Sequence, residues 1–269
     1  MTAQPPVEAK KSLGQNWLTD QNIARKLLDA LAPVAGETVL EIGPGGGALT
    51  QPLLARTDKV IAVEIDGRLL DHLRETFSER IELIHADILD IDLTELAARC
   101  GGSLVVLGNL PYYASSPILF HLLSHRTALS RAVLTLQKEV VERCIAGPGT
   151  KDYGSLAVQL TLAAKVKRLF TISPNVFRPR PGVESAAMLV DFTAPHPRQP
   201  RDPALLEKVV RAAFGRRRKT LRNALAAELG EDTAAYLLEA LAENPMIRAE
   251  QLSVEQFVDL ADALAARGQ

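Results

Sequence analysis

Five short apolar runs rich in β-branched residues recur along the first half of the chain: "TVLEI" (38–42), "KVIAVEI" (59–65), "IELIHA" (81–86), "SLVVLGN" (103–109) and "AVLTLQ" (132–137). Stretches of helical length separate them, "GALTQPLLAR" and "DGRLLDHLRETF" among them. Strands that alternate with helices at this spacing predict a doubly wound, mostly parallel α/β sheet. The runs are continuously apolar rather than alternating, which fits a sheet covered on both faces. This pattern also fixes where chemistry can sit. The carboxyl ends of parallel strands share one rim, where open α/β sheets bind ligands. Gly43, Glu64, Asp87 and Asn109 follow or close the first four runs, at steps of 21, 23 and 22 residues. One strand-end acid is ordinarily a turn residue. With Glu41, which closes the first run beside Gly43, four polar positions in phase with a glycine loop predict a shared crevice.

After residue 150 the pattern changes. "YGSLAVQLTLAAK" reads as a helix and "VKRLFTI" as a strand; a proline-rich loop and a last strand follow through "SPNVFRPRPGVESAAMLVDF". The prolines of "TAPHPRQPRDP" mark a linker over 193–203. Beyond it, "ALLEKVVRAAF", "KTLRNALAAEL", "TAAYLLEALA" and "SVEQFVDLADALAA" carry the i, i+3, i+4 apolar spacing of helices. The expected organisation is an α/β domain over 1–192 and a small all-α domain over 204–269.

Composition narrows the function classes. At 47% hydrophobic and 23% charged residues the 269-residue chain is ordinary for a globular protein. It has no apolar run of the roughly 20 residues needed to span a bilayer. Its start lacks the apolar stretch of a secretion signal, so a cytoplasmic protein is expected. Two cysteines, Cys100 and Cys144, form no CxxC pair, and the five histidines form no HExxH, so no metal site is expected. The net charge of −1 hides a segregation. Residues 196–222 hold nine Lys/Arg against two acids, and residues 223–269 hold two against nine. A local basic stripe, with Arg216, Arg217, Arg218, Lys219 and Arg222 in one short stretch, suits a polyanion.

The loop "EIGPGGGALT" satisfies G-x-G-x-x-A, so a nicotinamide dinucleotide with Glu64 on its ribose is one reading. Three features favour S-adenosylmethionine. Glu41 precedes the loop, where it opposes a pyrophosphate but suits a sulfonium or ammonium. Asp87 supplies a second acid, suited to an adenine amino group. The fourth strand ends in Asn109-Leu110-Pro111-Tyr112, which hydride transfer does not need. As an isolated feature that corner would be only a chain reversal.

Eight motifs in order then resemble the ribosomal RNA adenine N6-dimethyltransferases. They are "KKSLGQNWLTD", "EIGPGGGALT", "VIAVEID", "HADILD", "NLPYYASSPI", "LQKEVVERCIAGPGTKDYGSLAV", "FRPRPGVESAAM" and "AFGRRRKTLRNAL". They are most similar to the branch acting on two adjacent adenosines near the 3′ end of 16S RNA. Trp17 stands where that family usually has Phe and Ala114 where Ile is commoner; Arg178 and Gly182 also vary. The resemblance implies a Rossmann-like class I methyltransferase fold that uses S-adenosylmethionine. Gln15, Asn16 and Leu18 would border the methionine end of that cofactor, and Gly43 and Gly45 would form the floor. Glu64 would take the ribose hydroxyls and Asp87 the adenine amino group, with Ile88 beside it. Asn109 would be shared with the substrate. Its side-chain oxygen and the Leu110 carbonyl, directed by Pro111, would accept the two N6 protons. Tyr112 and Phe177 would flank the unstacked base.

The basic stretch would contact RNA phosphates, with Lys165, Lys167 and Arg168 extending the surface. Trp17 reads equally as core filling or as a substrate contact. Immature 30S subunits are the expected partner and a monomer the expected state. Two alternatives stand beside this reading: a 23S RNA dimethyltransferase conferring antibiotic resistance, and a ribosome-assembly factor whose catalysis is incidental.

Overall fold

The computed structural model describes residues 7–10, 13–216 and 218–267. In chain order its elements are β1 (Trp17–Leu18), α1 (Gln21–Leu31), β2 (Thr38–Ile42), α2 (Thr50–Leu53), β3 (Val60–Glu64), α3 (Leu70–Phe77), β4 (Glu82–His85), α4 (Leu93–Arg99), β5 (Leu104–Asn109), α5 (Ser115–Ser124), β6 (Leu129–Gln137), α6 (Lys138–Cys144), α7 (Ser155–Ala163), β7 (Lys165–Ile172), β8 (Phe177–Arg178), β9 (Ser185–Asp191), α8 (Pro203–Phe214), α9 (Leu221–Leu229), α10 (Glu231–Leu241) and α11 (Val254–Arg267).

Seven strands form one sheet in the order β4-β3-β2-β5-β6-β9-β7. β2 to β6 pair in parallel, and β9 runs antiparallel to β6. β2 and β3 are buried along their whole length, as continuous apolar runs require of a sheet covered on both faces. The fold is therefore the Rossmann-like α/β fold expected, with the strand ends Ile42, Glu64, His85 and Asn109 on one rim. Because β9 is reversed, its first residue, Ser185, faces Gln137 at that same rim. β1 and β8 form a separate antiparallel pair, Trp17 opposite Arg178 and Leu18 opposite Phe177.

The helix expected over "GALTQPLLAR" shortens to the four residues of α2. Pro52 stands in its first turn, where a missing N–H is tolerated, and the backbone ladder still reaches the glycine loop, the Gln51 N–H donating to the Gly47 carbonyl at 3.0 Å.

The chain divides into two compact units. One takes the described residues up to Val141 together with Val166–Thr193; the other takes Glu142–Lys165 and the described residues from Ala194 onward. The division differs from a single cut at 192. Helix α7, with Tyr153 just before it, packs Ala157, Val158 and Leu162 into one core with Val209, Leu225, Leu237 and Phe257 of α8 to α11. The proline-rich segment expected as a linker is tied down within this second unit. The His196 N–H donates to the Leu162 carbonyl at 3.1 Å, Gln199 Nε2 donates to the same carbonyl at 2.8 Å, and the Arg201 N–H donates to Asp262 at 2.9 Å. The four expected C-terminal helices are present. Asp202 caps α8 by accepting from the Ala204 and Leu205 N–H groups, and Thr220 caps α9.

Candidate active site

At the end of β2 the Gly43 N–H donates to the Val63 carbonyl at 2.9 Å, fastening the glycine loop to β3. Gly43 has φ +65°, and a side chain built on it would meet no described atom within 4 Å. Its backbone faces open space, and it is a wall of three adjoining cavities of about 100, 80 and 150 Å³. Leu18, Gly45, Glu41 and Trp17 line the first. Gln15, Asn16, Glu64, Leu110, Pro111, Tyr112 and Phe177 line the second. Asp87, Ile88, Ile65, Pro111 and Tyr113 line the third. Asn109 is common to the first two. Every residue expected at the cofactor and at the base thus lies on a wall of this group of cavities.

Gly45 answers a second steric demand. At φ +57° it forms the seat of the Trp17 ring, which a Cβ there would meet at 2.5 Å. Trp17 therefore both fills space against the loop and lines a cavity, and its buried Nε1 has no described hydrogen-bond partner.

The acids are held by specific donors. Glu64 is buried and accepts from two backbone N–H groups, Gly45 at 3.0 Å and Asp66 at 2.9 Å, one on each carboxylate oxygen. Burial raises its pKa, while these two N–H groups oppose the rise. Glu41 is 1% exposed and accepts from Thr50 Oγ1 at 2.7 Å. Burial pushes it up to about 7, with the charge of Glu64 adding to the rise and the Thr50 bond opposing it. Asp66 runs the other way. The Arg68 guanidinium, at 2.5 Å, holds its carboxyl well below the usual range, and Gln15 Nε2 donates to it at 2.7 Å. Gln15 Oε1 accepts from the Lys10 N–H at 2.7 Å, so both ends of its amide are engaged and it shapes the wall. Asp87 uses one oxygen to accept from the Leu89 N–H at 3.0 Å.

Around the Asn-Leu-Pro-Tyr corner, Asn109 Nδ2 donates to the Asn16 carbonyl at 3.0 Å, which assigns Oδ1 as the remaining acceptor. The Leu110 N–H donates to the Thr135 carbonyl at 3.0 Å, and Pro111 has φ −64°. The Tyr112 and Ser185 hydroxyls share a hydrogen bond of 2.7 Å. Phe177 is 1% exposed; it belongs to the core and also lines the second cavity. Asp66, Thr50 and Ser185 are the supporting residues whose roles the motifs alone do not give, although Asp66 closes the quoted "VIAVEID", Thr50 closes "EIGPGGGALT" and Ser185 lies within "FRPRPGVESAAM".

In the second unit, Arg216, Arg218 and Lys219 are exposed in the turn between α8 and α9. Arg222 differs: its guanidinium pairs with Glu231 at 2.5 Å. Arg217 lies outside the described residues. Among the described residues no group of His, Cys, Asp or Glu side chains is placed to hold a metal ion, and no helix is long and apolar enough to cross a membrane.

The family model for ribosomal RNA adenine dimethylase matches residues 7–266. The chain belongs to the ribosomal RNA adenine dimethylase family. It is 45% identical over 260 residues to the ribosomal RNA small subunit methyltransferase A of Aromatoleum aromaticum, covering 96% of this chain and 95% of that one. Among solved structures it is similar to a dimethyladenosine transferase from Plasmodium falciparum, with a TM-score of 0.77, 26% identity, and 93% and 98% of the two chains covered. It is also similar to the 23S rRNA methyltransferase ErmE, with a TM-score of 0.65, 25% identity, and 93% and 100% covered. The chain is accordingly an S-adenosylmethionine-dependent rRNA adenine dimethyltransferase, and the cavities at the strand rim are its candidate active site.

Proposed function

We propose that the chain dimethylates N6 of two adjacent adenosines near the 3′ end of 16S rRNA, within immature small ribosomal subunits. The observation that carries the choice of subunit is the 45% identity, over almost the whole chain, to a relative named for the small subunit. The 23S enzyme ErmE is 25% identical over a comparable span. That likeness supports 23S rRNA as the second reading.

The walls fit S-adenosylmethionine. Each Glu64 oxygen accepts one N–H and keeps a lone pair for one of two vicinal ribose hydroxyls. Asp87 keeps one oxygen for an exocyclic amino group, with Ile65 and Ile88 offering apolar surface to a purine. Glu41 offers a carboxyl that ionises near neutrality to a cationic neighbour. Leu18, Asn16 and Gln15 border the same space, and Gly43 and Gly45 leave room for close approach. When bound, S-adenosylmethionine supplies a methyl group carried on a positively charged sulfur.

The protein's own task is the adenine nitrogen, whose lone pair is delocalised into the ring. Asn109 Oδ1, oriented by the Asn16 carbonyl, accepts one N6 proton. The Leu110 carbonyl accepts the other, its peptide held by the Thr135 bond and its direction set by Pro111. Two acceptors draw N6 toward a tetrahedral geometry and free its lone pair. Tyr112 gives the extruded base a stacking face and Phe177 backs the pocket. Acceleration comes from alignment and exclusion of water. Once methylated, the nitrogen is acidic enough to lose its proton to water. Arg216, Arg218 and Lys219 contribute phosphate affinity, joined by Arg217 of the same motif.

The test is transfer of labelled methyl groups to unmethylated immature 30S subunits, with 50S subunits alongside and nucleoside chromatography of the product. N6,N6-dimethyladenosine on 30S alone is expected. Label on 23S rRNA moves the target to the large subunit. No label, with S-adenosylhomocysteine still bound, supports an assembly factor.

A further inference from the structure

We propose that Ser185 is a positioning residue that sets the orientation of the Tyr112 ring and, through it, of the target base. The inference rests on the reading of Tyr112 as the stacking face. Ser185 is fully buried, at 0% exposure, and its hydroxyl lies 2.7 Å from the phenolic oxygen of Tyr112, 73 residues away in sequence. It lines none of the three cavities, so it acts through the tyrosine rather than on a ligand.

The fold explains why a serine from the far end of the unit arrives here. β9 is antiparallel to β6, so its first residue lies opposite Gln137 at the rim where the parallel strands end. Ser185 is also held from the preceding residue. The Lys138 N–H donates to the Glu184 carbonyl at 3.0 Å, and the Lys138 ammonium pairs with the Glu184 carboxylate at 2.9 Å. The serine oxygen is thus a fixed point on the sheet, whereas Tyr112 sits in a short turn after Pro111. A phenol ring anchored at Cα alone retains freedom about two side-chain torsions. Anchored also at its hydroxyl, it presents one face. Burial raises the Tyr112 pKa, so the phenol remains neutral at physiological pH. Stacking tolerates any base but does not by itself place N6 against Asn109; a ring fixed at both ends does.

Single-turnover methylation of 30S subunits by Ser185→Ala, Tyr112→Phe and the double variant tests this. Each single change removes the same hydrogen bond and is expected to lower the rate roughly fivefold to tenfold, the weight of one such bond. RNA affinity should stay within twofold, and S-adenosylhomocysteine affinity, which also reports folding, should not change. The double variant should be no slower than either single one. With 2-aminopurine at the target position, stacking-induced quenching should weaken in both single variants. Losses that multiply in the double variant, or a Ser185→Ala enzyme of full rate beside a slowed Tyr112→Phe, overturn the proposal. A Tyr112→Ala enzyme of full rate removes the stacking role itself, and this inference with it.

Discussion

Replacing Glu41 by Gln should change how the stability of the first unit depends on pH, in a direction and amount the structure fixes. Glu41 is buried against Thr50 with its pKa raised from 4.5 to about 7. Below 4.5 the carboxyl is protonated in both folded and unfolded chains and costs nothing. Between 4.5 and 7 the unfolded chain loses its proton first, so stability falls by about 1.4 kcal/mol per pH unit. Above 7 both states are ionised and the loss levels off at about 3 kcal/mol. Gln keeps the shape, and its side-chain carbonyl can still accept from Thr50 Oγ1, which lies 2.7 Å from the carboxylate oxygen. The extra buried amide N–H group costs about 1–3 kcal/mol, and that cost does not vary with pH. The stability of Glu41→Gln minus that of the parent should therefore climb by about 3 kcal/mol from pH 4.5 to pH 8, whatever its starting offset. Urea unfolding followed by tryptophan fluorescence reads this locally, because Trp17 is the single tryptophan and rests on Gly45 of the same loop. A difference that stays flat across this range, or falls, refutes the argument that burial governs this carboxyl.

Gly45→Ala places a methyl group 2.5 Å from the Trp17 ring at φ +57°, and should cost about 2–4 kcal/mol in urea unfolding while weakening S-adenosylhomocysteine binding in calorimetry. Arg131→Met should destabilise by about 2–3 kcal/mol, because Arg131 bonds the Leu31 and Ala32 carbonyls at the end of α1 and grips Glu37 at 2.7 and 2.8 Å. The Arg131 guanidinium lowers the pKa of Glu37, so the pair's contribution is fully present above pH 4.5 and is lost as pH falls through the lowered value; melts of parent and variant should converge in acid. Neutralising Arg216 and Lys219 together should reduce the slope of log affinity for RNA against log salt by nearly one per phosphate contact removed, whereas Arg222→Ala should change it less, since that charge is already paired with Glu231.

The rim was legible because a parallel sheet makes it so: a residue that ends an apolar run needs no partner information to be placed beside the next such residue. Glu64, Asp87 and Asn109 could be read as neighbours from spacing alone, and Gly43 from its place between strand and helix. What escaped are pairings made by loops returning from elsewhere. Gln15 reaches Asp66 across 51 residues and Tyr112 reaches Ser185 across 73. Neither distance is set by a local period, and an isolated Ser or Asp carries too many alternative roles to be singled out. The same limit explains the unit boundary. "YGSLAVQLTLAAK" is apolar around much of its circumference, with Ala157, Val158, Leu160, Leu162 and Ala163 all buried, so its sequence shows that it is covered without showing by which core. Only the contacts of Tyr153, Val158 and Leu162 with the helices that follow residue 203 decide that. Glu41 joins the two cases. Its place before the glycine loop marked it as a partner for a cation, but its donor, Thr50 at the head of α2, is brought to it by the fold of the intervening loop and not by any local period. A strand end can thus be placed from the sequence, whereas the hydrogen bonds that tune its acid follow from the loop that folds back over it.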